Sequence, residues 1–328
     1  SWGVAVDIGT TSNVVYLADL LSGKVVDWDL DYNGQIARGE DIISRIIYAS
    51  KGEGLEELQG LVVRTINRLL KRLANRQGIS TSQIYKMTVA GNSTMMHQFL
   101  GLPPESIRLE PYITTTNYPP PVTAGELGID INPQAAIDCL PGVGSYVGGD
   151  ITAGVLSSGL YQTEKLTLFI DVGTNGEVVL GNADWFISCA CSAGPAFEGS
   201  GVEHGMRATE GAIEDVWINS LTLEPTYRVM GDEPPRGICG SGLISLLGEL
   251  FITGTIDKSG NVRPDLDSPR VRQGEHGGEY VVAWAEETAI GEDIVITEVD
   301  IENLLRAKAA IYAGFSILAQ SLDPDLSM

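Results

Sequence analysis

Val4-Ala5-Val6-Asp7-Ile8-Gly9-Thr10-Thr11 opens the chain, and Phe169-Ile170-Asp171-Val172-Gly173-Thr174-Asn175 repeats its plan about 160 residues later. Each copy is a short apolar strand that ends in Asp, aliphatic, Gly, Thr and a polar residue before a second strand begins. One such tip reads as an ordinary hairpin turn, because Asp and Gly are common turn residues. Two copies, each opening about half the chain, predict two lobes of similar fold, residues 1–162 and 163–328.

The surroundings of the tips follow from periodicity. Residues 3–8, residues 13–18 and a return strand from Gly23-Lys24 make a meander with the polar loop at its tip. Leu55, Leu58, Val62, Ile66, Leu69, Leu70 and Leu73 carry the spacing of an amphipathic helix over 53–77. A strand over 84–90 runs into Gly91-Asn92-Ser93-Thr94, where a Ser or Thr side chain is expected to cap a helix. Residues 111–134, with Pro119-Pro120-Pro121, read as an irregular surface excursion. Small residues around Asp150 predict a closely packed helix over 148–160, and a further helix is expected over 298–320.

Charge and composition narrow the function classes. The 328 residues are 43% apolar, enough for sizeable cores, and carry 21 Lys+Arg against 43 Asp+Glu, a net charge of −22. Such a surface repels phosphate backbones and anionic lipid headgroups, which argues against nucleic acid and membrane as partners. A bound nucleotide would have to be held by backbone N–H groups, a metal ion and a few local cations. No apolar run reaches the ~18–20 residues of a membrane span, and no signal peptide is visible. The composition is that of a soluble, acidic, intracellular protein. Cys139, Cys189, Cys191 and Cys239 contain no C-x-x-C pair, and His97, His204 and His276 are scattered. Cys189-Ala190-Cys191 places both thiols on one side of a strand; two ligands are too few for a cluster, so they read as buried structural cysteines.

The tips suggest a chemistry. Glycine lets backbone N–H groups approach a phosphate, and Thr10, Thr11, Thr174 and the Asn175 amide add donors beside Gly9 and Gly173. Asp7 and Asp171, at the strand ends, suit the water shell of Mg²⁺. Facing hairpins with one Asp each would clasp a Mg–triphosphate, meeting the positioning and charge demands of phosphoryl transfer. The Gly-rich helix start at Gly240-Ser241-Gly242 can receive a nucleoside or its phosphates, or can simply allow close helix packing.

The two hairpins resemble the phosphate-1 and phosphate-2 loops of the actin, sugar kinase and heat-shock chaperone ATPase (ASKHA) superfamily. The resemblance implies an α/β fold of two ribonuclease H-like (actin-like) lobes with an interlobe nucleotide cleft. Asp150-Ile151-Thr152-Ala153-Gly154 resembles the start of that superfamily's first connecting helix, and Asp150 precedes Asp171 by 21 residues. A carboxylate there helps set the metal and attacking water in the chaperones, so Asp150 joins Asp7 and Asp171 as an expected catalytic residue; otherwise it caps its helix. Arg306-Ala307-Lys308 resembles a stretch whose lysine touches adenosine, which implies a cofactor role for Lys308 where the bare sequence suggests a solvated helix face.

Finer motifs resemble one family, the reductive activators of corrinoid proteins. They are Gly39-Glu40-Asp41-Ile42-Ile43-Ser44-Arg45-Ile46, Ala90-Gly91-Asn92-Ser93-Thr94-Met95, and Ser192-Ala193-Gly194-Pro195-Ala196-Phe197-Glu198-Gly199 with Gly205-Met206-Arg207-Ala208. This resemblance implies a cytoplasmic Mg-dependent ATPase of anaerobic metabolism with ATP and Mg²⁺ as cofactors. It implies reduction of cob(II)alamin to cob(I)alamin on a partner, either a methyltransferase-linked corrinoid protein or a corrinoid iron-sulfur protein. A 2Fe–2S cluster is expected only in a separate N-terminal domain, since the cysteines here lack plant-type spacing. The family's Gly-Gly adenosine loop, expected just after 316–322, is not found before Met328, so the chain reads as a fragment. The superfamily's lobes often pair, which adds a homodimer to the partners. A small-molecule kinase of the same fold and a non-catalytic, nucleotide-dependent interaction module are the alternatives. Glu177, Glu198, His204 and Arg207 lie in the conspicuous loops without an assigned role.

Overall fold

Val4, Val6 and Ile8 are buried while Ala5 and Asp7 are exposed, so the first strand turns one face to a core and carries Asp7 on the other. The structure is a computed structural model describing residues 1–322; the last six residues of the expected second lobe, 323–328, lie outside the described residues. It divides into two compact units, Ser1–Phe169 with Val179–Cys189, and Ile170–Val178 with Ala190–Met328.

In the first unit β1 (Trp2–Ile8), β2 (Ser12–Asp19) and β3 (Lys24–Tyr32) form the expected antiparallel meander. β4 (Ile84–Gly91) runs parallel beside β1, β5 (Val122–Thr123) is an antiparallel edge, and β6 (Ala136–Cys139) runs parallel beside β4. The order β3-β2-β1-β4-β6-β5 is that expected of a ribonuclease H-like lobe with one added edge strand. Helices α1 (Ile42–Ala49), α2 (Gly54–Gln77), α3 (Ser93–Leu100), α4 (Glu105–Arg108), α5 (Ala124–Leu127) and α6 (Gly149–Ser158) complete the unit.

Two devices fix α2 on the sheet. Val62, Ile66, Leu69, Leu70 and Leu73 bury its apolar stripe in the core that holds Leu17, Val89 and Phe99. Along its edge, Arg68, Arg72 and Arg76 pair with Asp31, Asp29 and Asp27 of β3 at 2.8, 2.8 and 3.0 Å. Four helical residues advance ~6 Å and two strand residues ~6.6 Å, so the two charge rows stay in step.

Two sequence expectations need correction here. Asn92, not Ser93 or Thr94, caps α3, its Oδ1 accepting the Met95 N–H at 2.9 Å. The stretch 111–134 is no mere excursion, since it contains β5 and α5 and places Ala124, Ile129 and Ile131 in the core. The Thr123–Glu126 capping box that starts α5 offsets the disruptive proline run before it.

The second copy of the hairpin plan returns as β7 (Thr167–Val172), β8 (Gly176–Gly181) and β9 (Phe186–Cys191), a sheet in that order. The second unit adds β10 (Ala212–Ile218), β11 (Pro225–Val229) and β12 (Gly237–Ile238), ordered β11-β10-β12. It also has β13 (Val271–Gly274), β14 (Gly277–Ala283) and β15 (Ile294–Thr297), ordered β13-β14-β15. α7 (Gly240–Ile252) and α8 (Glu298–Leu322) pack Leu243, Leu246, Ile301 and Leu304 into a core with Ile213 and Val282.

Cys139 and Cys239 are buried, and burial pushes the Cys139 thiol up to about 12. Cys189 and Cys191 are only half-buried, contrary to expectation, because β9 is an edge strand of its sheet. No helix among the described residues is long and apolar enough to cross a membrane.

Candidate functional site

The first tip is built from β1 outward. Gly9 N–H donates to Ser12 O at 2.9 Å, and a Cβ on Gly9 would stand 2.6 Å from that oxygen, so only glycine closes this turn without displacement. Three consecutive carbonyls are drawn inward: Gly9 O accepts from Asn33 Nδ2 at 2.9 Å, Thr10 O from Arg45 Nη2 at 2.5 Å, and Thr11 O from Asn33 N–H at 2.9 Å. In a trans peptide the N–H points opposite the C=O. The N–H groups of Thr10 and Thr11 are therefore turned away from Asn33 and Arg45.

Asn92 links this tip to the next element. Its amide donates to the Thr10 hydroxyl at 3.1 Å while its oxygen caps α3. A Cβ on Gly148 would lie 2.5 Å from Asn92 Cα, and one on Gly149 2.6 Å from Leu140 O, so the start of α6 packs directly on the end of β4. Farther along the helix a Cβ on Gly154 would meet the Phe169 ring at 2.4 Å, the close packing that its small residues announced. Asp150 lies in the first turn, where a carboxylate suits the helix dipole, and its Oδ1 accepts the Ile151 N–H at 2.9 Å. The N-cap is Gly148, so the capping alternative for Asp150 is corrected. Asp7, Gly9, Thr10, Thr11 and Asp150 thus gather at the carboxyl ends of the parallel strands β1, β4 and β6, where open α/β sheets hold ligands.

At the second tip, Thr174 N–H donates to Glu198 Oε1 at 3.2 Å and Thr174 Oγ1 to Glu198 Oε2 at 2.8 Å, so one carboxylate engages both donors. Gly173 N–H closes the turn onto Asn175 O at 2.9 Å, and Gly194 N–H donates to Thr174 O at 2.9 Å. Glu198 ends the 3-10 turn Pro195–Glu198. Desolvation pushes the Asp171 carboxyl above the usual range; the Val172 N–H pulls it down, and the Glu198 charge adds to the rise.

Gly240 belongs to this neighbourhood for a packing reason. A Cβ there would lie 2.3 Å from Phe197 O, beside Glu198, and one on Gly242 2.2 Å from Ile213 O. Ser241 is exposed and its hydroxyl donates to Glu214 O at 2.8 Å. Lys308 is exposed on α8 with its ammonium 5.6 Å from the Tyr312 ring centroid. One turn on, Ile311 packs against the start of β8, where a Cβ on Gly176 would meet its Cγ1 at 2.4 Å.

Four residues that build the tips carried no role in the sequence reading: Asn33, Arg45, Asn92 and Glu198. Arg45, Asn92 and Glu198 fall inside the family-like segments, but nothing local announces that their side chains reach the tips. Among the described residues no group of three or more His, Cys, Asp or Glu side chains could ligate a metal directly. A single carboxylate at a strand end, such as Asp7 or Asp171, suits the water shell of Mg²⁺.

The sheet order and the repeated hairpin define a mixed α/β protein of the actin-like, ASKHA class. Residues 165–328 match the model of the C-terminal domain of RACo, the ASKHA domain, and residues 2–163 match the RACo middle region. The chain belongs to the RACo family. It is 38% identical over 98% of its length to the corrinoid activation enzyme RamQ of Eubacterium limosum, covering 55% of that protein. It is 23% identical over 97% of its length to the [Co(II) methylated amine-specific corrinoid protein] reductase of Methanosarcina barkeri, covering 59% of it. A solved structure titled reductive activator for corrinoid, iron-sulfur protein is 52% identical, superposes with a TM-score of 0.90, and matches 98% of this chain and 51% of its own. The chain thus spans a little over half the length of these relatives.

Proposed function

We propose that this chain is the ATP-binding, Mg-dependent ATPase region of a reductive activator that drives cob(II)alamin to cob(I)alamin on a partner corrinoid protein. The observation that carries the reading is the pair of Asp-x-Gly-Thr tips shaped as anion receptors, one with its carbonyls pinned inward and one already clasping a carboxylate. Gly9, Thr10, Thr11, Gly173, Thr174 and Asn175 would donate to the phosphates, and Asp7 and Asp171 would hold the water shell of Mg²⁺. When bound, Mg²⁺ neutralises charge on the phosphate oxygens. Asp150 would orient the attacking water, and Gly240, Ser241, Gly242 and Lys308 would border the nucleoside. The names of the relatives support the corrinoid partner. The electrons would come from a 2Fe–2S cluster outside this chain, and the proposed location is the cytoplasm, where ATP is available. Residues 1–162 and 163–328 are the two proposed lobes, and a homodimer is the proposed assembly.

The test uses the whole protein that contains this chain, a corrinoid protein in its cob(II)alamin state, a reductant and Mg-ATP, read by the cob(I)alamin absorbance. ATP-dependent reduction that disappears in Asp7→Asn supports the reading. Reduction indifferent to ATP and to that substitution defeats it, and transfer of phosphate to a metabolite would point instead to a kinase.

A further inference from the structure

Arg45 is wholly buried and has neutral partners. Its Nε donates to Gly39 O at 2.8 Å and its Nη2 to Thr10 O at 2.5 Å, while Nη1 faces Gln35 Oε1 at 3.4 Å and Met95 Sδ at 3.3 Å. Among the described residues no carboxylate lies within ion-pair distance of it. Asp41, the acid that acts on it through space, turns its Oδ1 to the Ser44 N–H as the cap of α1. Desolvation lowers the guanidinium to about 10, with Asp41 opposing, so it stays charged at neutral pH. A buried charge facing only dipoles is costly unless something beyond those dipoles answers it.

The shortest of its contacts identifies what it serves. Thr10 O belongs to the peptide whose N–H is that of Thr11, at the outer side of the first tip. A charged donor on the carbonyl polarises that peptide and makes its N–H a stronger donor, and in a low-dielectric interior the charge itself reaches farther than a surface charge would. In a chain of net charge −22 this is the local cation that the sequence reading required and did not find. We propose that Arg45 is the positioning residue of the first tip, a buried cation that acts through the Thr10–Thr11 peptide to favour the phosphates of a bound nucleotide. The inference rests on the reading of Gly9, Thr10 and Thr11 as a phosphate site.

The test compares affinities of this chain for Mg-ATP and for adenosine, which has no phosphate, by calorimetry in wild type, Arg45→Met and Arg45→Lys. Arg45→Met is expected to weaken Mg-ATP about tenfold or more while leaving adenosine within about twofold, because removing a charge penalises only the charged ligand. Arg45→Lys keeps the charge and is expected to hold the ATP-to-adenosine ratio within about threefold of wild type. Equal loss of both ligands in Arg45→Met means a purely structural role and overturns the proposal, as does unchanged Mg-ATP binding. If circular dichroism shows Arg45→Met unfolded, Arg45→Gln, which also removes the charge, takes its place under the same criteria: selective loss of Mg-ATP supports the proposal, and equal loss or no loss overturns it. Wild-type chain that binds no Mg-ATP removes the phosphate-site reading together with this inference, whereas wild-type binding with no ratio change removes the inference alone.

Discussion

Asp171 shows how a site residue can work against the fold that carries it. Its carboxyl is pushed up mainly by desolvation, so the ionised form is less favourable in the folded chain than in the unfolded one. Its contribution is thus fully present below the ordinary Asp value near ~3.9 and is lost as pH rises through the folded value. Asp171→Asn is expected to be more stable than wild type at pH 7, the gap closing as pH falls toward 4, measured by urea denaturation at a series of pH values. A variant less stable at pH 7 would show that the carboxylate is a structural anchor. Glu198 makes the second residue-scale prediction. Because its carboxylate occupies the Thr174 donors, a phosphate must displace it, and Glu198→Gln should tighten Mg-ATP binding by roughly three- to tenfold. Weaker binding would instead make Glu198 a brace that holds the tip in working shape. The tip residues themselves were legible because Asp-x-Gly-Thr is a local pattern with a local consequence. Asn33, Arg45 and Glu198 were not, because they act on backbone groups 22 to 35 residues away, and every residue offers such groups.

At the scale of elements, the meander, α2, β4 and α8 were readable from apolar periodicity, while 111–134 was not. Its proline run reads as an irregular surface excursion, yet the capping box of Thr123 and Glu126 and the burial of Ile129 and Ile131 make it part of the fold. One further tie explains its hold. His97, buried on α3, pairs Nδ1 with Ser93 O at 2.6 Å and accepts the Thr115 N–H on Nε2 at 2.9 Å, which requires the neutral ring with its proton on Nδ1. Burial pushes its pKa down, with the bond to Ser93 opposing. The stability it contributes is fully present above the ordinary histidine value of ~6.5 and is lost as pH falls below it. Wild type should therefore lose stability on acidification from pH 7 to 5 more steeply than His97→Gln, measured by thermal unfolding at each pH. Parallel pH curves for the two proteins would remove His97 as the titrating group.

For the whole molecule, the net charge of −22 leaves anion binding to a few built places, and the proposal puts them at the tips that end the repeated strands. The repeat was the most legible feature at this scale, since two copies of one plan stand about half a chain apart. What each tip does with its neighbours was hidden, because it depends on how α3, α6 and the turn Pro195–Glu198 fold back onto strands distant in sequence. The central claim is that these tips bind a nucleotide, and calorimetric titration of this chain with Mg-ATP, beside the Asp171→Asn variant, tests it most directly. The account predicts saturable binding to wild type that is lost or at least about tenfold weaker in Asp171→Asn, since the variant keeps the hairpin but removes the carboxylate proposed for the metal's water shell. Equal affinity in a folded variant, or no binding in either protein, would contradict it.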